Sequence, residues 1–287
     1  MKIIRTVGEM QAFSDEARAR GKRIGFTPTM GYLHEGHLSL VRASKADNDL
    51  TVASIYVNPT QFGPTEDLEK YPRDLARDQE LLEHAGCEAL FYPDNESMYP
   101  PGFQTELRVK SITDHLCGAS RPWHFPGVAL IVAKLFNMVK PHRAYFGQKD
   151  YQQARVIRRM VIDLNFDLEV VVCPIVRETD GLAMSSRNAY LSDEEREQAI
   201  VLSQALEEAN EMYREGERDA LKLKNRISLT IQRAPLAKID YCEVVDGETI
   251  QPIERVEGTG VAALAVFFGK TRLIDNHILG EPWNLSP

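Results

Sequence analysis

Apolar runs and stretches of helical spacing alternate along the first 175 residues. The short run RIGF (23–26) ends at TPTMGYLHEGHLSL (27–40), where a strand gives way to a segment of helical spacing. LTVASIYV (50–57) is apolar at nearly every position, as in a strand buried on both faces, and EALFYP (88–93) reads the same way. Between them DLARDQELLEHAG (74–86) sets Leu75, Leu81 and Leu82 near helical spacing, with Gly86 as a stop. GVALIVAKLFNMVKP predicts a buried helix ended by Pro141, RAYFGQ (143–148) a strand, DYQQARVIRRMVIDLN a helix and DLEVVVCP a strand. This alternation predicts an α/β fold: a Rossmann-like, doubly wound parallel sheet with helices on both faces.

The rhythm changes near residue 176. LSDEEREQAIVLSQALEEANEMYREGERD reads as one long charged helical stretch and DALKLKNRISLTIQ as a second helix. KIDYCEVVD and GVAALAVFFGKTRLIDN then read as strands with no helix between them, an antiparallel pair. The expectation is a larger domain over residues 1–175 and a smaller α+β domain over 176–287.

Composition narrows the function. Of 287 residues, 34 are basic and 42 acidic, and the net charge of −8 argues against a broad nucleic-acid surface while leaving room for a local anion pocket. The hydrophobic fraction of 43% is that of an ordinary globular chain. The longest apolar runs, VALIVA and VAALAVFF, are too short to span a bilayer, and MKIIRTVGEMQAF lacks the apolar core of a secretory signal. Cys87, Cys117, Cys173 and Cys242 show no paired metal-ligand spacing, so reduced thiols in the cytoplasm are expected.

In open α/β sheets, ligands bind at the carboxyl ends of strands. TPTMGYLHEGH, YVNPTQF and FGQKDYQQ each begin where a predicted strand ends, so all three are expected on one rim. His34 and His37 share a face if Glu35 starts a helix, and Gly36 removes bulk between them. A helix start favours an anion and two imidazoles add donors, but spacing alone leaves a metal site or a plain turn open. Lys149, between a strand and a helix, offers a point charge for phosphate, while Asp150 could simply cap that helix and Gln153 lies one turn on. Ser185, Ser186 and Arg187 set two hydroxyls beside a guanidinium, although Ser192 with Glu195 already resembles a helix cap. Gln61 in NPTQF can donate and accept, as recognition of a hydroxy acid would require.

Taken together, PTMGYLHEGH, NPTQFG, FGQKDYQQ and DGLAMSSRNAYL closely resemble the AMP-forming pantoate–β-alanine ligases, within the wider H-x-G-H nucleotidyltransferase group. The likeness runs from Gly21 past Tyr190, and RLIDN (272–276) resembles the family's C-terminal strand. The resemblance implies condensation of pantoate with β-alanine through a pantoyl adenylate, with release of AMP and pyrophosphate. It implies ATP contacts at Met30, Gly31, Tyr32, Leu33, His34, Glu35, Gly36, His37, Gly147, Gln148, Lys149, Asp150, Val176, Met184, Ser185, Ser186 and Arg187. His37 and Lys149 are the implied catalytic groups, Gln61 and Gln153 would hold pantoate, and Gln61 would also lie near β-alanine. Mg²⁺ is expected on the triphosphate with no protein ligand assigned, and a cytoplasmic homodimer with neither nucleic acid nor membrane as partner is implied. The alternatives are a nucleotidyltransferase that does not ligate and a catalytically silent nucleotide sensor. Within RPWHFPGV, Trp123 stands where the family usually has Gly and Pro126 where it often has Arg, so no role passes to Arg121 or His124. Gln148 replaces a more frequent Glu.

Overall fold

A computed structural model describes residues 1–64 and 66–283. In chain order the elements begin with β1 (Lys2–Ile4), α1 (Val7–Ala19), β2 (Ile24–Thr29), α2 (Glu35–Asp47), β3 (Leu50–Ile55), α3 (Leu75–His84) and β4 (Ala89–Phe91). They continue with α4 (Asn95–Met98), α5 (Cys117–Ser120), α6 (His124–Val139), β5 (Arg143–Gly147), α7 (Tyr151–Asp163) and β6 (Glu169–Cys173). The last are α8 (Asp193–Ala199), α9 (Val201–Arg214), α10 (Ala220–Ile231), β7 (Ala237–Asp246), β8 (Gly260–Phe268) and β9 (Thr271–Ile278). The described residues form two compact units: those within 1–64, 66–109, 123–147 and 156–173 make one, and those within 110–122, 148–155 and 174–283 the other.

The first unit is built on a six-stranded parallel sheet of order β1-β4-β3-β2-β5-β6. The chain moves outward from β2 through β3 to β4, then returns to place β5 on the other side of β2. Strand order therefore reverses between β2 and β5, the point at which such sheets bind ligands. Helices α1 and α6 pack on each other, as do α2 and α3. Both faces of the sheet need cover because its inner strands are buried on both sides: β3 buries every residue after Leu50. On one face Leu33, Val41, Ile55, Leu82 and Leu90 form a closed cluster. Helix α6 buries almost every position and ends where Lys140 turns left-handed (φ 48°) before Pro141.

The second unit carries the antiparallel sheet β7-β8-β9, packed by α9 and α10. Leu202, Leu206, Leu223, Ile227 and Ile231 from the helices meet Val244, Leu264, Val266 and Phe268 from the sheet. Two expectations are corrected here. The stretch read as one helix from residue 191 is two, broken at Ile200, and Ser192 caps the first by a reciprocal box with Glu195. The apolar run GVAALAVFFGKTRLIDN is not one strand but two, β8 and β9, folded back at Gly269 (φ 56°) into a three-stranded sheet. The reversal is made by the two-residue Gly269-Lys270 turn, which interrupts the apolar run. Elements β1 and α1 escape periodicity because the strand has only three residues, although Thr6 and Glu9 spell the capping box that starts the helix.

Candidate active site

In the first unit the segment after β2 is tied down before the helix begins. Thr29 Oγ1 donates to the Ser54 carbonyl at 2.8 Å and accepts from the Gly31 amide at 3.2 Å. Gly31 (φ 85°) and Tyr32 (φ 49°) are both left-handed, and a Cβ on Gly31 would lie 2.9 Å from Ile55 Cγ2 and 3.1 Å from Asp78 Oδ2. Only glycine fits there. The buried Asp78 carboxylate accepts from the amides of Tyr32 and Leu33, each at 2.7 Å. Burial raises the Asp78 pKa, against those two bonds and the Arg77 charge, which lower it.

The amides of Gly31, Tyr32 and Leu33 are thus committed within the protein before the helix begins. The amides that open α2, of Glu35 and Gly36, have no carbonyl one turn back in the helix to bond. The His34 amide donates to His37 Nδ1 at 3.3 Å, and the two rings lie 4.1 Å apart, centroid to centroid, at 39°. An imidazole whose Nδ1 accepts carries its proton on Nε2, so His37 presents an N–H donor on its far edge. Among the described residues no third His, Cys, Asp or Glu joins the pair in a group that could hold a metal.

Gln61 ends a short turn (Pro59–Gln61) after β3 and is buried, with Nε2 3.0 Å from Met30 Sδ. The loops following β2 and β3 thus meet, as their placement at adjacent strand ends predicts. Asn58 organises the second loop. Its Nδ2 donates to Gln61 Oε1 (3.2 Å) and the Gly127 carbonyl (3.1 Å), and its Oδ1 accepts from Thr60 Oγ1 (3.0 Å) and Tyr99 Oη (2.8 Å). His124 Nδ1 lies 3.1 Å from the Gln61 carbonyl, and the Trp123 ring lies over Gly63 so closely that a Cβ there would be 2.5 Å from it. At the end of β5 a Cβ on Gly147 would meet nothing within 4 Å, so packing does not require glycine at that position.

In the second unit, Gln148, Lys149 and Asp150 form a short turn entering α7, and all three are half-buried. Asn276 Nδ2 donates to the carbonyls of Gln148 (3.0 Å) and Lys149 (2.9 Å). The two glutamines that follow divide their work. Gln152 is buried and holds the Cys117 amide and the carbonyls of Ile112 and His115, while Gln153 is half-buried. Residues 176–184 form a tight hairpin: the Met184 amide bonds the Val176 carbonyl (3.0 Å), and Gly181 (φ 95°) turns the tip. Arg177 is buried in a two-pronged pair with Asp275 (2.7 and 3.1 Å) and also donates to the Gly181 carbonyl (3.0 Å). Ser185 Oγ accepts from the Arg187 amide at 3.2 Å, capping the turn Ser186–Tyr190, so its hydroxyl has a local role. Ser186 is buried and Arg187 half-buried.

The first unit therefore gathers Met30–His37 and Gln61, and the second carries Gln148–Asp150, Gln153, Val176 and Met184–Arg187. The positioning groups Asn58, Asp78, His124 and Asn276 were missed. Asp78 left a trace, an acid on the apolar face of α3 between Leu75 and Leu82, and Asn58 lies within NPTQF itself; the bonds of His124 and Asn276, and that of Asn58 to Gly127, cross long sequence separations that no local pattern records.

The family model for pantoate-beta-alanine ligase matches residues 2–278. The chain is 58% identical over 280 residues to the pantothenate synthetase of Thermotoga petrophila, covering 98% of this chain and 100% of that one. It is 55% identical over 285 residues to the pantothenate synthetase of Syntrophus aciditrophicus, covering 99% and 100%. The crystal structure of the pantothenate synthetase of Thermus thermophilus superposes with a TM-score of 0.93 at 46% identity, covering 97% and 99%. A pantoate-beta-alanine ligase of Francisella tularensis, solved with β,γ-ATP and β-alanine, superposes with a TM-score of 0.81 at 33% identity, covering 98% and 99%.

Proposed function

The chain belongs to the pantoate-beta-alanine ligase family and joins pantoate to β-alanine in an ATP-dependent reaction, and we propose that it does so through a pantoyl adenylate with His37 and Lys149 as the charge-stabilising groups. The pantoate carboxylate attacks the α-phosphorus of ATP and pyrophosphate departs. The β-alanine amine then attacks the activated acyl carbon, losing a proton, and AMP leaves. No protein nucleophile is needed; the protein positions the reactants and stabilises phosphate charge.

The observation that carries this reading is the entry to α2, where the His34 amide sets the His37 tautomer and leaves an Nε2 donor beside a helix start. Lys149 supplies a second positive charge, and Met30–His37, Gly147–Asp150, Val176 and Met184–Arg187 are the residues we assign to ATP. Gln61 and Gln153 are assigned to pantoate, and Gln61 also to β-alanine. Residues 1–175 would bind ATP and pantoate, with 176–287 as a lid. The nucleotide substrate in this reading is Mg²⁺-ATP, with the ion held largely by the triphosphate oxygens and no protein ligand assigned.

The four cysteines are free and buried, which supports a reducing cytoplasmic setting, and no described helix is long and apolar enough to cross a membrane. A homodimer is the assembly we propose, and light scattering after gel filtration tests it. The mechanism is tested by ATP–pyrophosphate exchange. Exchange that requires pantoate and proceeds without β-alanine is expected, whereas release of ADP and phosphate would rule the adenylate out.

A further inference from the structure

Strand β9 carries three adjacent buried polar residues, Asp275, Asn276 and His277, that contribute little to an apolar core. Asp275 is committed to Arg177, and its Oδ1 also accepts the Asn276 amide at 2.8 Å. Asn276 differs in kind. Both of its amide hydrogens go to successive main-chain carbonyls, of Gln148 and Lys149, 128 and 127 residues away in sequence. Reversing the amide would set its oxygen against two carbonyl oxygens, so the orientation is forced. The Oδ1 atom is left buried with no hydrogen-bond partner among the described residues. A buried unpaired acceptor costs stability. The residue is thus poorly explained as a stabilising group and well explained as a clamp on one piece of backbone.

That backbone is where Lys149 begins. The turn Gln148–Asp150 sits between a strand end and a helix start, and the Lys149 side chain is only half-buried. Its ammonium can be placed no better than the main chain from which it extends. We propose that Asn276 is a positioning residue for the ligation: it fixes the Gln148–Lys149 backbone, and through it the point at which the Lys149 ammonium meets the phosphates, without touching substrate. This rests on the assignment of Lys149 to ATP given above.

The test is a double-mutant cycle on the full chain, read by turnover in ATP–pyrophosphate exchange with pantoate. Asn276→Ala is expected to lower turnover by about ten- to a hundredfold, as misplacement of a reacting group does. In a Lys149→Ala background the same change should cost less than about twofold, because the group it positions is gone. The KM for β-alanine should stay put, which general loosening of the fold would not leave untouched. Asn276→Ser, retaining one donor, should recover part of the loss and serves if the alanine variant does not fold. Asn276→Asp, whose carboxylate would face two carbonyl oxygens, should be at least as impaired as alanine. Equal losses in both backgrounds, or none in either, would overturn the proposal. An active Lys149→Ala chain would instead overturn the assignment of Lys149 itself.

Discussion

Gly127 lies in the first turn and a half of α6, where helix propensity alone says alanine should be better by about 1 kcal/mol. Packing says the opposite. A Cβ at Gly127 would stand 2.4 Å from the Thr60 carbonyl oxygen, 2.6 Å from its carbon and 2.7 Å from the Gln61 amide nitrogen. All three are backbone atoms of the turn that carries Gln61, so no flexible side-chain tip can yield. Against an ordinary contact of 3.4 Å, the turn or the helix must move by about 1 Å. Overpacking of this kind costs roughly 1–3 kcal/mol, which outweighs the propensity gain and predicts a melting temperature lower by several degrees.

The same shift moves the Gln61 main chain and strains the bonds from Asn58 to Gln61 Oε1 and to the Gly127 carbonyl. Misplacement on that scale lowers kcat/KM for pantoate by about ten- to a hundredfold, while the KM for ATP should hardly change. Steady-state kinetics in each substrate and thermal unfolding read both effects. Gly8→Ala in α1 is the control: its Cβ would meet nothing within 4 Å, and up to about 1 kcal/mol of stabilisation is expected. A Gly127→Ala chain as stable as the parent, with an unaltered kcat/KM for pantoate, would refute the reasoning.

His37→Ala and Lys149→Ala should each lower turnover by roughly 10²–10³ with the circular dichroism unchanged; near-normal turnover in either would remove that residue from the mechanism. Asp275→Ala leaves the buried Arg177 guanidinium without its partner and should cost about 3–5 kcal/mol in urea unfolding, and a loss below about 1 kcal/mol would mean that the pair contributes no more than a surface one. Burial lowers the pKa of both His142, whose Nδ1 accepts from the Ile24 amide, and His277 below the ordinary 6.5. The unfolded chain therefore takes up protons first, so stability is full above about pH 6.5 and falls as the pH drops below it. Replacing both by glutamine should flatten that fall between pH 7.5 and 5.5, and an unchanged slope would exclude them as its cause. Residues 177–190 should gain protection from hydrogen exchange when Mg²⁺-ATP and pantoate are added, and unchanged protection at saturation would make the segment a static wall.

Much of this protein was legible in its residue order because the physics involved is local. A strand buried on both faces is mostly apolar, and capping residues such as Thr6, Asp74 and Asp219 open helices. The parallel sheet, the helices that cover it and the positions of the H-x-G-H, NPTQF, FGQKD and MSSR segments follow from those requirements. The break at Ile200 did not, since it lies inside a helical pattern that continues through it, and the reversal at Gly269 is marked by no more than a Gly-Lys pair between two stretches of strand-like sequence. What only the tertiary structure decided is which distant groups hold the loops in place. Asp78 seals the amides of Tyr32 and Leu33 from 46 and 45 residues away, and Asn58 reaches Gly127 across 69. Asn276 reaches Lys149 across 127. A buried donor or acceptor must find a partner, but composition and periodicity record only that it is polar. Which partner it finds depends on strand order and on how the chain crosses from one strand to the next, and these exist only once the chain is folded.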